Sequence, residues 1–328
     1  MSLFAEVPIK ALPLERPLQY AHSALNLARL RKASESVCSS LTKRLQKHCS
    51  ALKLNPQYIE AANFSHFAAK VYNIGVATEP GQDRLGIFVA TLALFVFEFD
   101  DHFDKPCGTP ENVSRLSMEM RILLRALSRH GLAGLQGVLD DWPTGAFGRE
   151  AYLWLLKEAE DLRKGAAELM HYSFLDYCFG VESEILEWAP DAYRGDTTAW
   201  NLDRYSEVRK RSVGVTITLV APLYIINKWT KKEHFATCND LLYNAALIGA
   251  LANDVLGMKR DQEESQSLGM TALKIVSASE AAQYHNEKVE CLKKDILDLD
   301  GDTRRLMEEV EVINVAQFLW QCNARRYN

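Results

Sequence analysis

The helical period dominates this sequence. From Tyr20 onward, apolar residues recur at spacings of three and four, and no alternating apolar and polar run of useful length appears. Residues that break helices are scarce, with 17 Gly and 10 Pro in 328 residues, roughly 5% and 3% where ~7% and ~5% are usual. Because no Pro-, Gly- or Ser-rich linker divides the chain, the sequence predicts one all-α domain.

Turn residues divide this pattern into about ten helices. The predicted segments are 20–54, 57–77, 84–103, 110–130, 149–189, 200–228, 231–258, 270–298 and 301–324. The 149–189 segment is expected to break near Gly165. Residues 1–19 carry Pro8, Pro13 and Pro17, and they predict an extended N-terminal arm in front of a catalytic domain at 20–328.

Composition excludes several classes of function. The formal net charge is −5, and no basic tract stands out, so nucleic acid is not an expected partner. Long uncharged stretches such as Val89–Phe97 and Val213–Asn227 are shorter than the ~18 residues of a membrane span. The seven cysteines include no CxxC pair, which predicts free thiols and a cytoplasmic location.

The first unusual motif is the acidic end of an apolar segment, Leu92–Asp104, with the sequence LALFVFEFDDHFD. On a helix, Asp100 and Asp104 share one face and Asp101 lies about 100° round. Three carboxylates within one turn repel each other unless solvent or a cation compensates them. Oxygen ligands of this kind suit Mg²⁺. The alternative interpretation is a solvated acidic helix end.

A second apolar helix turns polar in the same way. Asn253, Gly257 and Asp261 are spaced i, i+4 and i+8, so they form one stripe on the predicted helix. The amide and carboxylate oxygens are hard ligands, and glycine leaves room for a water molecule. Arg260 lies beside Asp261 and could reach a phosphate. The alternative is a helix end with surface charge.

Together the two stripes resemble the two metal-binding motifs of class I terpene synthases. The first is similar to the aspartate-rich DDxxD motif, at 100–104 with no mismatch. The second is similar to the NSE/DTE motif, at 253–261. It differs in having Gly257 at the position of a hydroxyl residue and Asp261 in place of the final Glu.

Two further segments are similar to parts of the same family. The segment YSEVRKRSVG contains Arg209 and resembles the YxxxR pyrophosphate-sensor segment. Ser212 and Val213 would then be the linker and effector positions of a helix break, with Gly214 supplying flexibility. The C-terminal Arg326-Tyr327 resembles the RY pair that grips the diphosphate.

The resemblance implies an all-α bundle of the class I terpenoid synthase type around a central apolar cavity, with Mg²⁺ as cofactor, three ions in all. The implied catalytic residues are Asp100, Asp101, Arg209, Arg326 and Tyr327. The implied metal site is formed by Asp100, Asp104, Asn253, Gly257 through a water, and Asp261. The implied diphosphate ligands are Arg209, Arg260, Arg326 and Tyr327. The candidate lining of the substrate pocket is Tyr72, Phe95, Phe99, Val213 and Trp320.

The expected function is Mg²⁺-dependent ionisation of a linear prenyl diphosphate, farnesyl diphosphate by preference, followed by cyclisation of the carbocation and release of diphosphate. The small-molecule substrate is the expected partner, and the chain is expected to be a monomer or a homodimer. The alternatives are a cyclase that uses geranylgeranyl diphosphate, a chain-elongating prenyltransferase, and an inactive helical interaction protein.

Overall fold

The computed structural model describes residues 3–7, 17–31, 35–57, 59, 63–73, 82–104, 110–130, 142, 146–188, 191, 198, 200–264 and 275–323. Within these ranges the chain forms thirteen α-helices and one small hairpin, so the all-α prediction is confirmed. The first six helices are α1 (His22–Leu30), α2 (Glu35–Leu52), α3 (Phe64–His66), α4 (Gln82–Asp104), α5 (Pro110–His130) and α6 (Arg149–Leu162). The other seven are α7 (Ala166–Ser183), α8 (Leu202–Ser212), α9 (Val215–Ile226), α10 (Lys232–Thr237), α11 (Asn239–Glu264), α12 (Ala278–Leu297) and α13 (Gly301–Gln321).

Two short π-helical turns extend this set: Phe67–Val71 follows α3, and Glu184–Trp188 follows α7. The predicted bounds of 110–130 are those of α5, and the expected break near Gly165 lies between α6 and α7, where Gly165 has φ +86°. The predicted helix at 57–77 is wrong in its bounds. Left-handed residues enclose the short helical stretch there, Asn63 at φ +54° before it and Asn73 at φ +55° after it.

The N-terminal segment forms strands that the helical period does not predict. Strand β1 (Phe4–Val7) pairs antiparallel with β2 (Leu18–Ala21). Residues 20 and 21 therefore belong to a strand, although the helical segment was predicted to begin at residue 20. Asn286 of α12 fixes the second strand: its Oδ1 accepts from the Gln19 N–H at 2.8 Å, and its Nδ2 donates to the Pro17 carbonyl at 3.0 Å. The described ends of the predicted arm therefore pack on the helical body.

Apolar helices form the centre of the molecule. The side chains of α4 are buried almost continuously from Phe88 to Val96, and α9 is buried along most of its length. A helix that is hydrophobic on all sides belongs in a core. The helix α7 packs against α6, α8 and α9, while α11 packs against α8, α12 and α13.

One described helical stretch, Asn239–Met258, is long and apolar enough to cross a membrane. Its most apolar window is 61% buried inside the protein. Helices on several sides cover it, which is the pattern of a core helix rather than of a helix that faces lipid.

Candidate active site

The predicted segment 200–228 is broken in its middle, as the resemblance implied. Two residues, Val213 and Gly214, lie between α8 and α9, and Gly214 has φ +68°. A Cβ atom there would lie 2.4 Å from Val96 Cγ1 and 3.4 Å from Tyr177 Cε2. Both the left-handed backbone and the close neighbours require glycine. The break is therefore pressed against α4 on one side and α7 on the other.

A second glycine brings α7 and α8 together at the same place. A Cβ atom on Gly180 would lie 2.5 Å from the backbone nitrogen of Ser212 and 2.7 Å from the carbonyl carbon of Arg211. Only a residue without a side chain allows this approach of two backbones. The crossing fixes the C-terminal turn of α8, and Arg209 lies on that turn.

Arg209 is held by two carboxylates that come from different elements. Its Nη1 donates to Glu184 Oε1 at 3.2 Å, and its Nη2 donates to Asp254 Oδ1 at 3.1 Å. The Tyr205 hydroxyl donates to the other oxygen of Asp254 at 2.7 Å. The tyrosine and arginine of the YxxxR segment thus converge on the residue that follows Asn253. Arg209 Nε is buried and has no hydrogen-bond partner within the described part of the chain.

The charges around this arginine do not balance. Burial lowers the pKa of Arg209, but Asp254 and Glu184 outweigh that effect, so its pKa lies well above the ordinary value and the guanidinium stays charged. Burial raises the pKa of Glu184, against the opposing effect of Arg209. The Arg209 guanidinium is paired with two buried carboxylates, Glu184 and Asp254, and the charge of Asp100 also acts on it. An excess of hard oxygen ligands is what a divalent cation would compensate.

The first acidic motif is split between two sides of α4. Asp100 lies one helical turn beyond Val96, and its charge acts on Arg209 and on Tyr177. Asp101 instead lines a surface groove beside Glu98 and His102. Asp100 and Asp101 were predicted to lie about 100° apart around the helix, and this division agrees with that angle. The side chain of Asp104 is outside the described part.

The second motif reaches the end of α13. Gln321 Nε2 donates to Asn253 Oδ1 at 3.3 Å, and Gly257 is buried one turn further along α11. The side chains of Arg260 and Asp261, and the whole of Arg326 and Tyr327, are outside the described part.

Among the side chains that are described, no three His, Cys, Asp or Glu groups stand close enough together to hold a metal ion. That set lacks Asp104 and Asp261, which are two of the five predicted ligand positions. The described ligands, Asp100 and Asn253, lie on α4 and α11. Arg209 connects them, because it donates to Asp254, the residue after Asn253, and the charge of Asp100 acts on it.

The candidate pocket residues fall into two aromatic clusters. Phe95 and Phe99 pack with Phe174 of α7, with ring centroids 5.3 and 5.2 Å away. Trp320 packs on Phe67 at 5.0 Å, and Phe67 packs on Tyr72 at 5.8 Å. Val213 lies in the break and is partly buried against the core. The face of α4 that meets the break carries Val96 rather than Phe95.

Several solved structures that this chain matches are terpene synthases. The chain matches a single-substitution variant of cucumene synthase at TM-score 0.65 and 14% identity, over 97% of this chain and all of that one. It matches α-eudesmol synthase at TM-score 0.58 and 16% identity, over 88% and 96% of the two chains. A third match is 2-methylisoborneol synthase from Streptomyces coelicolor A3(2), in complex with Mg²⁺ and 2-fluoroneryl diphosphate, at TM-score 0.63 and 13% identity over 88% and 91%.

At these identities the structural matches show the fold alone. No curated protein sequence gives a significant match to this chain. The family model described as "Terpene synthase family 2, C-terminal metal binding" matches residues 91–290, more than half of the chain. That range begins before Asp100, contains the Arg209 break, and continues beyond Asp261. Because the family model covers more than half of the chain, this protein belongs to terpene synthase family 2 and is a terpene synthase.

Proposed function

We propose that this protein is a class I terpene cyclase that ionises a linear prenyl diphosphate with Mg²⁺, releases diphosphate and cyclises the carbocation. Farnesyl diphosphate is the proposed substrate. The main support for the proposal is the position of Arg209. Its guanidinium donates to Asp254, the second residue of the second motif, and the charge of Asp100 in the first motif acts on it. One buried cation therefore connects both acidic motifs.

The donor set fits magnesium. The ligands would be the oxygens of Asp100, Asp104, Asn253 and Asp261, with Asp101 in support and a water in the space beside Gly257. When bound, the proposed three ions would absorb the negative charge that develops on the leaving diphosphate. The uncompensated carboxylates around Arg209 support this assignment, because buried like charges are costly without a cation.

The arginines would hold the diphosphate itself. Arg209 keeps one donor, Nε, that no described group uses, and its charge is maintained by its carboxylate partners. Arg260, Arg326 and Tyr327 would supply further donors. The described part of the chain ends at Asn323, two residues after Gln321, which contacts Asn253 of the second motif. Residues 326 and 327 therefore follow this contact by only a few positions in the sequence.

An apolar wall would protect the carbocation from water. Ionisation leaves a cation that reacts with any water it meets, and aromatic faces can stabilise it by cation–π attraction. The proposed lining is Tyr72, Phe95, Phe99, Val213 and Trp320, all of which lie in or against the core. The alternatives remain a geranylgeranyl diphosphate cyclase, a chain-elongating prenyltransferase and an inactive helical protein.

The location proposed for the enzyme is the cytoplasm. Six cysteines fall in the described part, and all of them are free thiols. Four of these six are buried: Cys38, Cys49, Cys178 and Cys238. Unpaired thiols are typical of a reducing compartment. A monomer or a homodimer remains the prediction for the oligomeric state.

Incubation with C10, C15 and C20 prenyl diphosphates and Mg²⁺, followed by gas chromatography and mass spectrometry, tests the proposed function. We expect a cyclic product from the C15 substrate, and none with Asp100→Ala or Asn253→Ala. Glu207→Gln is the matched control, because Glu207 forms an exposed ion pair with Lys210 on the helix that carries Arg209. Products longer than the substrate would indicate a prenyltransferase, and full activity of either motif variant would contradict the assignment.

A further inference from the structure

Tyr177 has a buried hydroxyl that nothing in the described part of the chain binds. The side chain is 1% exposed and lies on α7, and its hydroxyl has no hydrogen-bond partner among the described residues. A buried hydroxyl without a partner costs free energy, so such groups are rare and call for an explanation. Burial also raises the pKa of Tyr177 well above its ordinary value, so the phenol stays a donor.

The Tyr177 ring lies close to the part of α4 that leads to Asp100. The ring lies against Gly214 and packs on Phe99 with a centroid distance of 5.6 Å. Val96, the residue of α4 that meets Gly214, is one helical turn before Asp100. Among the charges that act on this phenol, that of Asp100 has the largest effect, followed by Cys178 and Glu184, while the Arg209 guanidinium acts in the opposite sense and cannot accept a hydrogen bond.

We propose that Tyr177 is a positioning residue for the first metal-binding aspartate, and that its hydroxyl donates to the Asp100 carboxylate when a divalent cation occupies the site. This inference rests on the proposed function. A carboxylate that binds a metal is itself oriented by a hydrogen bond, and loss of that bond typically weakens metal affinity tenfold to a hundredfold. The relative position of α4 and α7 is set by packing around Gly214, because Val96 and Tyr177 both lie against that glycine.

Tyr177→Phe removes only the oxygen and keeps the ring. Tyr152→Phe is the matched control, because the Tyr152 hydroxyl is equally buried but is paired with His171 Nδ1 at 2.7 Å. Two quantities are measured for each variant. The first is the free energy of unfolding without ligand. The second is the Mg²⁺ concentration that gives half of the rise in melting temperature at a fixed concentration of inorganic diphosphate.

We expect Tyr177→Phe to be at least as stable as the parent without ligand, and to need about tenfold more Mg²⁺. Tyr152→Phe should show the opposite pattern, a loss of stability with an unchanged Mg²⁺ midpoint. A Tyr177→Phe variant that is less stable but has the parental midpoint would overturn the inference. If the parent itself shows no Mg²⁺-dependent rise, the proposed function fails, and that result is distinct from a failure of Tyr177 alone.

Two further measurements separate Asp100 from the other candidate acceptors. In a Glu184→Gln background the effect of Tyr177→Phe on the Mg²⁺ midpoint should persist, because Glu184 is not the acceptor. At saturating Mg²⁺ the diphosphate midpoint should be nearly unchanged by Tyr177→Phe. Disappearance of the effect with Glu184→Gln, or a loss of diphosphate affinity at saturating Mg²⁺, would place the hydroxyl elsewhere and contradict the proposal.

Discussion

At Arg209 a single guanidinium is bound by two carboxylates, Glu184 and Asp254, from segments that are distant in the sequence. All three side chains are buried or nearly so. Removing one partner of a buried ion pair leaves an uncompensated charge, which is more costly than the pair itself. The stability of this part of the protein therefore depends on Asp254, although only its neighbour Asn253 is a predicted metal ligand.

We expect Asp254→Asn to lower the free energy of unfolding by about 3 kcal/mol, because it leaves Arg209 and Tyr205 without their shared acceptor charge. Urea denaturation measures the change. Glu207→Gln breaks an exposed pair on the same helix and should cost less than about 1 kcal/mol. Equal losses of unfolding free energy with the two substitutions would show that the buried pair of Asp254 and Arg209 is no more important for stability than an exposed pair.

Glu98 gives a prediction for pH dependence. Burial, with a smaller contribution from Asp101, raises the pKa of Glu98 from 4.5 to about 7, although the Asn55 N–H donates to it at 2.6 Å. The folded state therefore binds more protons than the unfolded chain between these two values. The free energy of unfolding should fall as the pH rises through this window, by about 3 kcal/mol at most.

Glu98→Gln should remove this contribution. The difference in unfolding free energy between the parent and the variant is measured by urea denaturation from pH 4.5 to 8. We expect the parent to lose stability relative to the variant as the pH rises from 4.5 to about 7, whereas Glu207→Gln should follow the parent. A parent and Glu98→Gln with parallel profiles would contradict the raised pKa.

At the scale of elements, the break between α8 and α9 is fixed by packing as well as by backbone conformation. Gly214 and Gly301 both have positive φ, but a Cβ atom on Gly301 would meet nothing within 4 Å. The two positions therefore separate backbone strain from steric conflict. A left-handed conformation costs a residue with a side chain roughly 1–2 kcal/mol, and overpacking adds roughly 1–3 kcal/mol.

We expect Gly301→Ala to lose about 1 kcal/mol of stability, and Gly214→Ala to lose about 2 kcal/mol more than that, because Val96 must move. Thermal unfolding measures both. Product formation should fall with Gly214→Ala and not with Gly301→Ala, since only the first displaces α8 from α4. Equal losses in the two variants would mean that the contact with Val96 is not tight.

The helices were largely predictable because their apolar period is strong. The bounds of α5 agree with the prediction, and α4 differs from the predicted 84–103 by two residues at the start and one at the end. The region around Phe64 was not predictable from periodicity, because the left-handed Asn63 and Asn73 enclose it and a π-helical turn, Phe67–Val71, lies within it. The β1–β2 hairpin depends on contacts with Asn286, which lies far away in the sequence.

The candidate site was predictable only in part. Motif spacing identifies Asp100, Arg209 and Asn253 as candidates, and Asp254 could have been found as the next residue of the same motif. Glu184 and Tyr177 carry no local signal. Their positions follow from the crossing of α7 and α8 at Gly180, which is a tertiary contact that periodicity does not encode.

At the scale of the whole molecule, the packing of apolar helices brings polar residues of distant segments together. Asp100 of α4, Arg209 of α8, Asn253 of α11 and Gln321 of α13 are linked by short-range contacts or by charge. Asp100, Arg209 and Gln321 lie near the C-terminal ends of their helices, whereas Asn253 lies eleven residues before the end of α11. The described residues of both motifs are thus connected through Arg209, which is what the proposed binding of a polyanionic substrate with cations would require.

The most direct test of the central claim is the release of inorganic diphosphate from farnesyl diphosphate by the purified protein, measured with and without Mg²⁺. We expect release that depends on Mg²⁺, accompanied by a cyclic hydrocarbon or alcohol, and near-complete loss of release with Asp100→Ala. The control Glu207→Gln should retain the parental rate. Release that is equal without Mg²⁺, or that survives Asp100→Ala, would contradict the assignment of a metal-dependent cyclase to this site.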